Sequence, residues 1–271
     1  MSGKATRWLK GCGCTLAVLL VVGVIALVVG SMTMIRPLRE AIETREQLDL
    51  KYGSQSDYTP PADGAIPRDR LEQFLTMRRE LMEICGRFEE AYESLEAMER
   101  FDSQDTAPNG EVLRAAFKAA RGAFGLAPAF GDFIQARNQT LLDHGVGLGE
   151  YTYIYSMAYG SSLLDIQEDG DVTRMQVHVS RRVLDVLQDM LERQLDQVEP
   201  GSAWADTLKA EVDRLEGSGW SVPWINGLPP TIDASLAPFR TDLEEQFCRY
   251  TVDLELAVHR TINGGIGIQG D

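Results

Sequence analysis

Thr15 to Ile35, TLAVLLVVGVIALVVGSMTMI, is one continuous apolar run without a charged residue. At a rise of about 1.5 Å per residue, about 20 such residues cross a hydrocarbon core of about 30 Å. A transmembrane helix here divides the chain between two compartments and limits what the rest can fold into. Lys4, Arg7 and Lys10 precede the run with no acidic residue among them, whereas Arg36 and Arg39 are soon followed by Glu40, Glu43, Glu46 and Asp49. Basic residues beside a span are held on the cytoplasmic side. The expectation is a single-pass protein of the inner (cell) membrane. Residues 1–14 form a short cytoplasmic N-terminus, 15–35 the membrane helix in contact with the lipid bilayer, and the remainder a periplasmic or extracellular domain. A cleaved signal peptide is the competing reading. Its apolar core is usually about 7–15 residues long and ends at a small-residue cleavage site, and neither feature is seen. Cys12 and Cys14 precede the run, which speaks against a lipoprotein signal. Residues 1–14 are too few for an output domain, so a receptor signalling into the cytoplasm is not expected.

The part beyond residue 35 is long enough for a substantial core. With Lys4, Arg7 and Lys10 set aside, 23 of the 26 basic residues face 41 acidic ones, a net charge of −18. Such a surface repels phosphate backbones, which excludes a general nucleic-acid binder. Arginine outnumbers lysine 21 to 5, a usage that fits a bacterium with a GC-rich genome. Cys85 and Cys248 lie in the outer part, where oxidation can occur. They could form a disulfide, and free buried thiols are an equal alternative.

Hydrophobic spacing is helical throughout. Residues 36–65 read as a juxtamembrane helix to about Tyr52 and then a linker, GSQSDYTPPADGA, rich in turn formers. From Pro67 to about Phe101 the residues Leu71, Phe74, Leu81, Cys85, Phe88, Tyr92, Leu95 and Met98 recur three and four apart, the pattern of a long amphipathic helix, with Arg78 interrupting the stripe. Short helices are expected over 109–124, 128–144, 149–165 and 203–216, and further long ones over 172–198 and 234–262. The segment Gly217–Thr231, with its Pro, Gly and Trp residues, cannot be a regular helix. No strand is predicted. The fold class is therefore all-α: one N-terminal transmembrane helix followed by an extracytoplasmic bundle, 66–263, of three long and several short helices, with 264–271 a flexible tail.

Candidate chemistry concentrates in DHGVGLGEYTYIYSMAYG, residues 143–160. Tyr151, Tyr155 and Tyr159 fall on one helical face. With Glu150, His144 and a cation such as Arg137 or Arg78, they could line a pocket for a small ligand. The structural alternative is that Glu150 favours a helix start, His144 a helix end, and the tyrosines fill the core. Gly145, Gly147 and Gly149 alternate without the strand that a dinucleotide site needs. Trp220 and Trp224 are candidates for a contact surface, or else pins that hold a loop on the bundle. No metal is expected: Glu255 and His259 stand four apart, but no recognised ligand pattern accompanies them. No nucleophile motif, phosphate loop or kinase signature is present, so no cofactor is expected and an enzyme is the less favoured reading. The leading expectation is an envelope interaction or scaffold module that binds a protein partner. The alternative is a small-ligand-binding helical domain with its pocket near Glu150 and the tyrosine face.

Overall fold

The computed structural model describes residues 39–102, 129–168, 181–218 and 222–257, with the backbone alone for 91–102, 161–168 and 218. Among these residues every regular element is a helix and there is no strand. In chain order they are α1 (39–52), α2 (Arg68–Asp102), α3 (129–144), α4 (Leu148–Glu168), α5 (Arg181–Leu195), α6 (Ala203–Ser218), α7 (Pro230–Leu236), α8 (Arg240–Glu245) and α9 (Val252–Glu255). The described part of the chain is thus all-α. No helix among the described residues is long and apolar enough to cross a membrane. The apolar run 15–35, the helix expected over 109–124 and the tail 264–271 lie outside the described residues.

The centre of the fold is α4. Tyr151, Tyr153, Ile154, Tyr155, Met157 and Tyr159 are all buried, so the helix is enclosed on every side rather than along one stripe. A helix apolar all round is an interior helix. Around it, α2 contributes Leu71, Phe74, Leu75, Leu81 and Phe88, and α5 contributes Val183, Leu187, Met190 and Leu191. Helices α5 and α6 make a hairpin through a turn in which Gly201 takes φ +79°, a conformation open to glycine at little cost.

The segment between α1 and α2, which composition marks as a linker, is docked. Gln55 is buried and its Nε2 donates to Thr152 Oγ1 at 2.6 Å. Gln194 Nε2 donates to the Pro61 carbonyl at 2.6 Å, and Trp204 Nε1 to that of Ala62 at 2.9 Å. The glycine pattern of 145–149 is explained by this docking. Gly145 ends α3 at φ +71°. A Cβ on Gly149 would stand 2.6 Å from Tyr58 Cβ and closer still to the Gln55 carbonyl oxygen. The glycines admit the neighbouring backbone, and no phosphate is needed to account for them. Helix α1 is equally part of the bundle: Ala41, Thr44 and Leu48 are buried, and Asn138 Nδ2 donates to the Ala41 carbonyl at 3.1 Å.

One long helix expected from periodicity does not exist. As far as residue 257, the stretch expected as 234–262 is the end of α7, a 3-10 turn at Ala237–Phe239, α8, an extended residue at Cys248 (φ −111°, ψ 103°), a second 3-10 turn at Arg249–Thr251, and α9, and 258–262 lie outside the described residues. Pro238 lacks the N–H a continuing helix needs and crowds the preceding turn. The short turns keep Leu236, Phe239 and Leu243 inward, which is why the spacing imitates one helix.

Candidate functional site

Three buried charges meet beside α4. Arg78 is 1% exposed, and Arg137 and Glu255 are fully buried. Arg78 comes from the apolar stripe of α2, Arg137 from α3 and Glu255 from the end of α9. A buried guanidinium needs a counter-charge and acceptors, and both are supplied. Arg78 Nη1 pairs with Glu255 Oε1, and Nη2 donates to the Gln246 carbonyl at 2.8 Å. The Tyr151 hydroxyl donates to Glu255 Oε2 at 2.7 Å and accepts from Arg78 Nη1 at 3.2 Å. Arg137 Nη1 donates to the carbonyls of Leu254 at 2.5 Å and Glu255 at 3.1 Å, so it also caps the last turn of α9. Arg137 is steadied by Asn138 Oδ1, which accepts from Nη2 at 3.2 Å.

The tyrosine face completes this cluster. Arg78 Cζ lies 5.3 Å from the Tyr155 ring and 5.7 Å from the Tyr159 ring, within cation–π range. The rings of Tyr155 and Tyr159 meet edge-on at 4.8 Å, and Phe74 packs on Tyr151 at 5.3 Å. Burial, and then the Glu255 carboxylate, push the phenols of Tyr151 and Tyr155 well above their usual range. Burial also works against the charge of Arg78, but Glu255 and the tyrosines more than offset it and hold the guanidinium well above its usual value. Burial outweighs Glu255 at Arg137, which is lowered.

Of the residues singled out from sequence, Arg137, Tyr151, Tyr155 and Tyr159 are brought together here. Glu150 and His144 are not. Glu150 points the other way from the start of α4 and forms a two-pronged pair with Arg70: Nε donates to Oε1 at 2.5 Å and Nη2 to Oε2. Its cation is therefore Arg70, not Arg78 or Arg137. His144 contacts Glu80 at 3.0 Å on the surface. Arg78, Phe74 and Phe247 pack against the tyrosine face. A cleft of about 230 Å³ lies elsewhere, between α5 and α6, lined by Arg181, Leu184, Asp185, Gln188, Leu215 and Glu216.

Trp224 is buried and takes φ +61°, unusual for a bulky residue. Its ring stacks on Trp204 at 6.0 Å and its backbone N–H donates to Glu211 Oε1 at 2.6 Å. Glu211 is itself held by Arg214, whose Nε donates at 2.9 Å. These contacts make Trp224 a pin for its loop, while Ile225 is left 38% exposed at the tip. Trp220 lies outside the described residues. Cys85 and Cys248 are joined in a disulfide, their Cα atoms 6.0 Å apart.

Among the described residues no group of three or more His, Cys, Asp or Glu could hold a metal. Glu255, considered with His259 as a ligand pair, is committed to Arg78 and Tyr151, and His259 is outside the described residues. Sequence reasoning missed Glu255 as the partner of the arginines. The available signal was Arg78 within an apolar stripe and Arg137 within FIQARNQTLL, since two arginines in core-facing positions require a carboxylate somewhere. The chain matches no protein-family model, no curated protein and no solved structure. Arg78, Arg137, Tyr151 and Glu255 are buried within the bundle. What it does chemically is tie α2, α3, α4 and the C-terminal segment into one unit.

Proposed function

We propose that this protein is a membrane-anchored extracytoplasmic module that works by contact with a protein partner in the envelope. The disulfide between Cys85 and Cys248 carries the reading of compartment, because such bonds persist in oxidising compartments and are rare in the cytosol. It lies on the far side of the apolar run 15–35 from Lys4, Arg7 and Lys10, so redox chemistry and charge asymmetry favour the same orientation. Interaction is favoured over small-ligand binding because the tyrosine face is filled by Arg78 and Phe74. Among the described residues the large apolar side chains on the surface are Leu50, 88% exposed, and Ile225.

Thiol topology and crosslinking test the two halves of the proposal. In intact cells a membrane-impermeant maleimide should leave Cys12 and Cys14 unlabelled. Cys85 and Cys248 should react only after denaturation with reduction. A photo-crosslinker at Ile225 or Leu50 in native membranes should trap a discrete protein adduct. Labelling of Cys12 and Cys14 in intact cells overturns the orientation, and adducts confined to lipid overturn the interaction reading.

A further inference from the structure

Residues 246–257 lie across α2 with two clasps. Cys248 is bonded to Cys85, and Glu255 is paired with Arg78. The clasps are seven residues apart on both segments and run in opposite order, so the strap is antiparallel to α2. Seven residues on a helix are two turns, about 10 Å. The regular structure between the clasps is one 3-10 turn, Arg249–Thr251, and the four-residue α9, and neither is long enough to persist alone. The strap buries Gln246, Cys248, Thr251, Val252, Glu255 and Leu256, three of them polar, with Phe247, Tyr250 and Leu254 packed partly buried against the core. The disulfide is the covalent tie among these contacts, and an ion pair that must be desolvated is a weak one by itself.

We propose that the strap is a redox latch: opening the Cys85–Cys248 bond releases residues 246–257 as a unit from an otherwise folded bundle and uncovers the Arg78–Arg137 pair. The reductant is a dithiol, as in thiol–disulfide oxidoreductases. One thiolate attacks the sulfur of Cys85, which as a residue is 8% exposed against 2% for Cys248, and Cys248 leaves as a thiolate. The second thiol of the reductant then resolves the mixed disulfide and frees the Cys85 thiol. Two electrons and two protons pass to the protein, and the reductant becomes a cyclic disulfide. Reoxidation reverses each step and returns Glu255 to the arginines. Such a release is a sub-global opening.

Hydrogen exchange read by mass spectrometry on the full-length protein in detergent tests the latch. The oxidised protein is compared with the same sample reduced by a dithiol under native conditions, and with the C85S/C248S variant. Amides of 246–257 should exchange at least tenfold faster after reduction, while those of α4 and of α5–α6 keep their rates, and reoxidation of the reduced sample should restore protection. Unchanged protection of the strap on reduction overturns the proposal. So does loss of protection across the whole bundle, because the strap would then not be a separable element. In-place reduction keeps the test decisive where the double variant does not fold.

Discussion

Raising the pH should unfold this protein through four phenols on one helix. Tyr151, Tyr153, Tyr155 and Tyr159 are each no more than 2% exposed, and burial raises the pKa of all four. In the unfolded chain a tyrosine ionises near pH 10. The native state thus keeps protons that the unfolded state gives up, and stability must fall as pH rises past that point. The contribution is fully present below about pH 9. At about pH 11 each unfolded tyrosine gains about 1.4 kcal/mol from ionisation, so the four together favour unfolding by about 6 kcal/mol. That is comparable with the whole stability of an ordinary domain, about 5–15 kcal/mol. Urea unfolding followed by circular dichroism across an alkaline pH series measures the slope, and tyrosinate absorbance in the same samples reports ionisation. The two should change together in one cooperative step. Tyr155→Phe removes one of the four protons and a hydroxyl without a hydrogen-bond partner. It should cost little at neutral pH and reduce the alkaline slope by about a quarter. Ionisation of these phenols near pH 10 with the far-ultraviolet spectrum intact would refute the argument, as would a stability curve flat to about pH 11.

The remaining predictions concern single contacts. Glu255→Gln leaves Arg78 and Arg137 buried without a counter-charge and should cost about 3–5 kcal/mol by urea denaturation; the double change Arg78→Met, Glu255→Met should recover only part of it, since Arg137 stays without a counter-charge, and a loss of under about 1 kcal/mol for the single change would show that water reaches the cluster. Gly149→Ala forces the Gln55–Tyr58 segment off α4 and should cost about 1–3 kcal/mol, with proteolytic cleavage appearing between α1 and α2; full wild-type stability would mean that this segment is not docked. Glu150→Gln weakens the partly exposed Arg70 pair and the charge at the start of α4, and should cost about 0.5–2 kcal/mol; a loss as large as that at Glu255 would place Glu150 in the core network after all.

Helix identity was legible wherever a single face meets the core. The spacing of Leu71, Phe74, Leu81 and Phe88 marks α2 to within a residue at each end, because burial along one stripe writes a period of three to four into the sequence. The same signal misled over 234–262, where Leu236, Phe239 and Leu243 keep that period through a proline and a 3-10 turn. Burial fixes which side chains point inward but not whether the backbone between them is continuous. Tyr153 exposes the limit from the other side. It lies off the face of Tyr151, Tyr155 and Tyr159, yet it is equally buried against Tyr58, because α4 is enclosed by a docked segment that composition alone reads as a linker. Glu150 shows why the pocket residues were only half gathered. Successive residues on a helix point about 100° apart, so Glu150 and Tyr151 cannot serve one site unless the site wraps the helix end. Sequence proximity brought them together on paper, and the helix separates them.

The charged core has a physical rationale in register. Residues 246–257 offer Val252, Leu254 and Leu256 to the bundle, and apolar contacts of that kind tolerate a slip of one turn at modest cost because they are non-directional. Glu255 does not tolerate it. Its two oxygens meet Arg78 and the Tyr151 hydroxyl, and the carbonyls of Leu254 and Glu255 meet Arg137. A slip of one residue in either direction would bury the carboxylate against apolar side chains and leave two guanidiniums unpaired. The cluster therefore penalises wrong dockings more than it favours the right one, which is the best-attested use of buried polar groups. The disulfide acts on the same choice, since Cys248 can reach Cys85 only when Glu255, seven residues later, is opposite Arg78, seven residues earlier. A variant in which both clasps are replaced by apolar pairs should keep much of its stability and lose its single registry. That would be seen as doubled or broadened amide resonances confined to 246–257, and sharp single resonances there would show that apolar packing alone sets the register.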